Sequence, residues 1–166
     1  MKINLINLLN GEQDSLSVDY TLDLSNLIYS SYSPVKEPVS ISGRLYSKAD
    51  VLYLDLKIEF RFCGVCDRCA EEIEKDFTIT INKIIVEELQ NIDNDDDYIV
   101  VDNQLLDLDE LVNEEVSLSL PSKILCSDDC KGLCPKCGTN LNVNKCDCKD
   151  DVDPRMAALL QLLDNE

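Results

Sequence analysis

The sequence predicts an α+β protein whose body is an antiparallel β-sheet with one or two helices, followed by a small cysteine-rich module and a terminal helix. Two observations predict this architecture. Several segments before residue 90 alternate apolar and polar residues, as strands with one buried face do. In addition, six of the nine cysteines lie between Cys126 and Cys148, and the chain contains no histidine. The body and the module therefore call for different stabilising forces.

A β-hairpin is predicted around the segment "VSISGRLYSKADVLYLDLKIEF". Residues 52–60 keep a strict period of two, which places Asp55, Lys57 and Glu59 on the face toward water. The polar turn "SKAD" joins this strand to the preceding one. The opening segment "MKINLINLL" alternates more roughly and predicts a further strand.

Strand character resumes in "EIEKDFTITINKIIVEEL", just after the segment "CGVCDRC". We therefore expect Cys63, Cys66 and Cys69 in a turn between two strands. The acidic run "QNIDNDDDY" that follows is typical of a solvated loop. A calcium site there is disfavoured, because the run lacks the glycine and terminal glutamate of an EF-hand loop.

Two helices are predicted after this loop. In "DLDELVNEEVSLSLP", Asp107 or Asp109 can cap the first helix, and Pro121 ends it. Apolar side chains at helical spacing form its core-facing stripe: Leu108, Leu111, Val112 and Val116. In "DPRMAALLQLL", Asp153 caps a terminal helix and Pro154 fits its first position.

The composition divides the chain into three parts. Residues 1–121 form the α+β body with the C-x-R-C turn, residues 122–150 the cysteine-rich module, and residues 151–166 the terminal helix. No apolar run approaches a membrane span, and no secretory signal is recognised. The sequence thus predicts a cytoplasmic protein without a membrane partner, in a compartment that keeps thiols reduced.

The charge distribution restricts the partners. The chain has 15 basic and 33 acidic residues, a net charge of −18, which disfavours broad nonspecific binding to nucleic acid. Residues 122–149 differ, with five lysines against three acids. This segment is either a solvated module on an acidic body or a local contact face for RNA.

The cysteines favour metal binding over disulfides. Tetrahedral zinc takes four soft ligands, and a C-x-x-C turn supplies two of them. One site combines the dyad Cys66/Cys69 with the dyad Cys126/Cys130, and the other combines the two cysteines of "CPKCG" with Cys146 and Cys148. This pairing predicts one or two zinc ions and leaves Cys63 without a partner. The expected ligands are Cys66, Cys69, Cys126, Cys130, Cys134, Cys137, Cys146 and Cys148. Free thiols and an iron–sulfur cluster stay as alternatives.

An enzymatic role is not expected. Without histidine, the usual Ser/His and Cys/His catalytic pairs are excluded. A C-x-x-C motif can exchange disulfides, but no βαβ pattern surrounds either copy. The carboxylates show no grouping typical of an active site.

Several of these motifs together resemble the YceD family, also called the large ribosomal RNA subunit accumulation protein family. The resemblance is carried by "CDRCAEEIEKDF", "DLDELVNEEVSLSLP", the cluster from Cys126 to Cys148 and "DPRMAALLQLL". It covers about the last hundred residues and is closest to the cysteine-rich branch of that family. The C-x-R-C motif with its acid falls on Cys66, Arg68, Cys69 and Glu71.

The resemblance implies a non-enzymatic role in ribosome biogenesis, in the accumulation or processing of large-subunit (23S) ribosomal RNA. The expected partner is that RNA or a pre-ribosomal particle, with a basic ribosomal protein as a further one. Residues for such a contact are Arg68, Lys131, Lys136 and Lys145. Two alternatives remain: an acidic chaperone that holds a basic ribosomal protein without touching RNA, and a redox sensor that loses zinc when its thiolates are oxidised.

Overall fold

The computed structural model describes residues 1–29, 32–87 and 97–148. Its contacts divide the chain into two compact units. The sheet unit comprises Met1–Val65 and Glu72–Ile124, and the cysteine unit comprises Cys66–Glu71 and Leu125–Glu166.

The sheet unit is built mainly from antiparallel strands, which confirms the predicted fold class. A five-stranded sheet has the order β2-β3-β4-β5-β6, and only its β5–β6 pair is parallel; a two-stranded sheet pairs β1 with β7. The elements are β1 Lys2–Asn4, α1 Ile6–Leu9, β2 Ser15–Leu22, β3 Val39–Lys48, β4 Val51–Val65, β5 Glu72–Val86, β6 Tyr98–Val100, β7 Leu105–Asp107 and α2 Leu108–Ser119.

The β3–β4 hairpin has the predicted turn. Lys48 pairs with Val51, and the two residues between them, Ala49 and Asp50, both have positive φ. Positive φ at both central positions is the type I′ geometry, whose twist matches that of the flanking strands. The alternate apolar residues of β4 from Leu52 onward are buried, as their period of two predicts.

The first nine residues differ from the prediction of one continuous strand. The strand stops at Asn4, and a short helix, Ile6–Leu9, follows. The Asn4 side-chain oxygen accepts the Ile6 N–H at 2.9 Å, which gives the backbone an alternative to the sheet ladder. Leu5 and Leu8 are buried at a spacing of three, so helical packing outweighs the rough alternation.

Cys63 also differs from its predicted place. It lies inside β4, opposite Glu74 of β5, whereas only Cys66 and Cys69 lie in the connection between these strands. The alternation of β4 continues past Phe60 to Phe62, so the strand extends further than the hydrophobic run alone indicated.

Helix α2 begins where the sequence placed it. The Asp107 carboxylate accepts the Asp109 N–H, which confirms Asp107 as the capping residue. Leu108, Val112 and Val116 are buried on one side. A salt bridge of 2.7 Å joins Lys83 on β5 to Glu115 on the helix.

Two predicted segments and the predicted domain boundaries are not tested by the described residues. The predicted terminal helix at 151–166 and most of the acidic loop lie outside the described residues. The division at residues 121 and 150 stays a prediction; the contacts group Cys66–Glu71 with the cysteine unit and not with the body. No helix of the described residues is long and apolar enough to cross a bilayer.

Gly43 tests the packing of the sheet. It lies in β3 opposite Leu56, where a Cβ would press against the Asp55 carbonyl oxygen and lie 2.9 Å from the Leu56 Cα. Because backbone atoms cannot move aside cheaply, we expect Gly43→Ala to lower the free energy of unfolding by about 1–3 kcal/mol. Urea denaturation followed by far-UV circular dichroism measures this. Ser40→Ala, at an exposed position of the same strand, is the control, and equal stability of the two variants would contradict the prediction.

Candidate metal centres

The first cluster brings together four sulfurs from two segments of the cysteine unit. Cys66 and Cys130 have their sulfurs 3.7 Å apart, and those of Cys69 and Cys126 are 3.6 Å apart. All four sulfurs lie within 4.8 Å of one another. A tetrahedral ion with metal–sulfur bonds of about 2.3 Å would separate its ligands by about 3.8 Å. The cluster therefore has the dimensions of one tetrahedral site, and its sulfurs are too far apart for disulfides.

A tight turn shapes the first half of this cluster. The Cys66 N–H donates to the Glu71 carbonyl at 2.8 Å, and the Ala70 N–H donates to the Cys66 carbonyl at 2.9 Å. Ala70 adopts a left-handed conformation with φ of 58°. The turn holds the Cys66 and Cys69 side chains on one side, where they meet the second dyad.

Backbone amides around Cys66 favour its thiolate. Burial opposes ionisation, but N–H donors from Cys126, Cys69 and Arg68 outweigh it and lower the pKa of Cys66 to about 6. The Cys126 N–H reaches the Cys66 sulfur at 3.4 Å. Hydrogen bonds of this kind stabilise a metal-bound sulfur in the same way.

Arg68 ties the two halves of the first cluster together. Its guanidinium donates to the Cys130 carbonyl at 2.8 Å, and its own carbonyl accepts the Leu133 N–H at 3.1 Å. Gly132 has a φ of 76°, and a Cβ there would lie 3.0 Å from the Arg68 carbonyl oxygen. Arg68, predicted from the sequence to contact a partner, thus also makes contacts inside the cysteine unit.

The second cluster gathers Cys134, Cys137, Cys146 and Cys148 within the same 4.8 Å limit. Its first dyad again sits on a closed turn: the Cys134 N–H donates to the Thr139 carbonyl at 2.8 Å, and the Gly138 N–H donates to the Cys134 carbonyl at 2.9 Å. Gly138 has a φ of 72°, the left-handed conformation that glycine adopts without strain. This is the turn that the "CPKCG" motif predicts.

Exposure distinguishes the two clusters. Three of the four cysteines in the first cluster are buried, whereas Cys137 and Cys148 of the second are exposed. The Thr139 side chain lies 3.1 Å from the Cys137 sulfur and, with the Thr139 backbone, lowers the pKa of Cys137 to about 6.

Each cluster also contains a thiol that resists ionisation. The backbone hydrogen bond of Glu71 favours the Cys69 thiolate, but burial and the neighbouring sulfurs outweigh it and raise the pKa of Cys69 to about 12. In the second cluster, the contact with the Cys137 sulfur and burial raise the pKa of Cys148 to about 12. Four crowded thiolates repel one another, and a bound dication removes that penalty.

Cys63 belongs to neither group of sulfurs among the described residues. Its side chain is 9% exposed, and its N–H donates to the Pro34 carbonyl at 2.7 Å within the sheet unit. Both of its neighbours on the strand, Phe62 and Gly64, are likewise part of β4.

The lysines considered for partner contact, Lys131, Lys136 and Lys145, are all exposed on the cysteine unit. Sequence reasoning missed two asparagines near the sulfurs. Asn142 donates to the Cys130 sulfur at 3.3 Å, and Asn140 donates to the Glu71 carboxylate at 2.8 Å. The hydrogen-bond donors around a metal ligand obey no fixed spacing, and the only sign in the sequence is the repeat "NLN" between the last two dyads.

Comparison with known proteins identifies the family of the chain that carries these two clusters. The family model described as "Large ribosomal RNA subunit accumulation protein YceD" matches residues 54–163, about two thirds of the chain. The chain belongs to the YceD family. The matched range covers all eight clustered cysteines, so the resemblance drawn from the motifs is confirmed.

Relatives of this YceD-family chain occur in distant organisms. It is 29% identical to the uncharacterized protein YlbN of Bacillus subtilis, over 98% of this chain and 96% of that protein. An uncharacterized protein of Mycobacterium tuberculosis is 25% identical over 88% of this chain and 82% of its own length. The large ribosomal RNA subunit accumulation protein YCED homolog 1 of Arabidopsis thaliana, a chloroplastic protein, is 29% identical over 69% of this chain and 45% of its own length. No solved structure matches the chain.

The metal content of the purified protein tests the pairing of the cysteines. We expect two zinc ions per chain by elemental analysis. Cys66→Ser removes a sulfur from the first tetrahedron and should lower the content toward one ion, whereas Cys63→Ser should leave it at two. Loss of a full ion from the Cys63→Ser protein would contradict this pairing.

Removal of the metal should disorder the cysteine unit and spare the sheet unit. Leu133 and Val143, two of the few apolar side chains in residues 130–148, are 40% and 70% exposed. Full burial of such a side chain contributes only about 1.5–3 kcal/mol, whereas ordering each residue costs about 1–2 kcal/mol. A structural zinc ion supplies roughly 10–16 kcal/mol in small sites.

We therefore expect a strong chelator to abolish amide protection across residues 130–148, while strands β3, β4 and β5 keep theirs. Hydrogen exchange read by mass spectrometry checks this, with the sheet unit as internal control. Protection that persists from Cys134 to Cys148 after complete metal removal would show that packing alone holds this segment.

Proposed function

We propose that this chain is a non-enzymatic ribosome-biogenesis factor that supports the accumulation or processing of large-subunit ribosomal RNA. Membership of the YceD family supports a role in large-subunit RNA accumulation. The geometry of the cysteine unit supports the way in which it acts, as a binding protein whose fold is held by metal ions.

The observation that carries this proposal is that both clusters are closed. Each gathers four sulfurs within 4.8 Å of one another, so the protein can supply all four ligands of a tetrahedral ion. Catalytic zinc sites instead use three protein ligands and keep one position for water or substrate. With all four positions taken by thiolates, the ion stabilises the fold and activates no water.

Zinc is the metal that this ligand set favours. Soft thiolates in a tetrahedral arrangement select zinc or iron–sulfur centres. In an iron–sulfur cluster the cysteines are shared among several irons, whereas the distances of 3.6 and 3.7 Å in the first cluster suit ligands of a single ion.

The distribution of charge favours the cysteine unit as the RNA-contacting part. The sheet unit carries 23 acids and 9 bases, a net charge of −14, which repels a phosphate backbone. The cysteine unit carries 10 acids and 6 bases, a net charge of −4, and two ions that are each held by four thiolates bring it to −8. The basic residues are concentrated in one segment, because residues 122–149 contain five lysines against three acids, and Lys131, Lys136 and Lys145 among them are exposed.

A second candidate function follows from the sheet unit itself. Its charge of −14 suits a basic ribosomal protein, which it would hold until transfer to the RNA. In that case the three lysines have no role in binding, and the partner is a protein. The redox-sensor hypothesis stays a prediction. Cys137 and Cys148 are exposed, and exposed thiolates are the ones most readily oxidised.

Binding to large-subunit ribosomal RNA at several salt concentrations distinguishes these functions. If the three lysines contact phosphates, replacing them together by glutamine should weaken binding and reduce the slope of log K against log salt by about 2–3. The matched control replaces Lys36, Lys48 and Lys57, three exposed lysines of the sheet unit, in the same way.

Equal effects of the two triple variants would contradict a specific contact through the cysteine unit. Absence of RNA binding by the wild-type protein, together with tight salt-dependent binding of a basic ribosomal protein, would favour the chaperone function instead.

A further inference from the structure

The loop between the two dyads of the second cluster contacts the first cluster. This asparagine loop comprises residues 138–145 and is flanked by Cys137 and Cys146. Within it, the Asn142 side-chain nitrogen donates to the sulfur of Cys130, a first-cluster ligand, at 3.3 Å. The Asn142 side-chain oxygen accepts the Lys131 N–H at 2.7 Å, which fixes the orientation of the amide.

A second contact from the same loop reaches the other half of the first cluster. The Asn140 side-chain nitrogen donates to one Glu71 carboxylate oxygen at 2.8 Å, and the other oxygen lies 3.7 Å from the Cys69 sulfur. The side-chain oxygen of Asn140 also accepts the Asn142 N–H at 2.9 Å. Both asparagines are thus positioned by one another and touch both segments that form the first cluster.

The asparagine loop buries little apolar surface, since Val143 is 70% exposed, and it contains no helix or strand. Backbone hydrogen bonds tie it to the segment just before it: the Leu141 N–H donates to the Gly132 carbonyl at 2.9 Å, and the Thr139 carbonyl accepts the Cys134 N–H at 2.8 Å. Its two ends are ligands of the second cluster. An ion bound there closes the loop and fixes the place from which Asn142 donates.

We propose that the ion in the second cluster strengthens binding of the ion in the first, and that Asn142 is the positioning residue that transmits this effect. The inference rests on the proposed metal binding. A hydrogen bond to a metal-bound thiolate stabilises its negative charge, and loss of such a contact typically weakens metal binding 10–100-fold. Since coupling between two sites is reciprocal, the first ion equally strengthens binding of the second.

Chelator competition on the full-length protein tests this coupling. Zinc transfer to a coloured chelator is measured at equilibrium over a range of chelator concentrations, and the phase that belongs to the first cluster is identified with the Cys137→Ser/Cys148→Ser protein, which keeps only that cluster. We expect Asn142→Ala to lower the zinc affinity of the first cluster about 10-fold or more. Asn144→Ala, in the same loop, is the control and should leave both phases unchanged.

The decisive comparison combines the substitutions. If the second ion acts through Asn142, then Cys137→Ser/Cys148→Ser weakens the first cluster by itself, and adding Asn142→Ala to it has no further effect. Independent, multiplicative effects of the two changes would overturn the coupling, as would an Asn142→Ala protein with wild-type release of the first ion. A wild-type protein that binds no zinc would overturn the metal proposal together with the coupling, so the two failures are distinguishable.

Discussion

The cysteine unit depends on one constraint: a short, polar segment cannot fold by burying apolar surface, and eight thiols gathered in two groups cannot all ionise without a cation. The spacing of the sulfurs, the left-handed turns at Ala70 and Gly138, and the amides that point at Cys66 all satisfy the requirements of tetrahedral ions. We therefore expect the fold of this unit and its metal content to form one equilibrium. On that proposal, any surface by which the unit binds a partner exists only while the ligands are reduced and occupied.

The sheet unit is stabilised differently. Its β3–β4 hairpin buries an alternating row of side chains, and helix α2 packs its buried residues Leu108, Val112 and Val116 within the same unit. Neither of the two groups of clustered cysteines includes a residue of this unit. The chain leaves the sheet after Val65 and returns at Glu72, and the six residues between belong by their contacts to the cysteine unit. The sulfur–sulfur contacts of the first cluster thus join cysteines that are more than fifty positions apart in sequence.

The negative charge of the chain disfavours binding to RNA, whereas its family membership suggests a role with ribosomal RNA. The division of the chain into two units reconciles the two observations. A role in ribosomal RNA accumulation is unexpected for a chain with a net charge of −18. Most of that charge, −14, lies on the sheet unit, whereas the cysteine unit has −4 before its thiols ionise, and residues 122–149 carry five lysines against three acids. A protein of this kind suits a narrow contact with RNA, a broad contact with a basic protein, or both in succession. Nonspecific coating of RNA is the mode that its charge disfavours.

The sequence by itself determined the hairpin, the capped helix and the family, because period-two alternation, an Asp cap and C-x-x-C spacing are local patterns that report local geometry. It did not place Cys63 inside β4 or end the first strand at Asn4, since a strand's end depends on what packs against it. Nor could it find Asn142. Only the tertiary structure brings that amide to the Cys130 sulfur, because a hydrogen-bond donor has no required distance along the chain from the ligand that it stabilises.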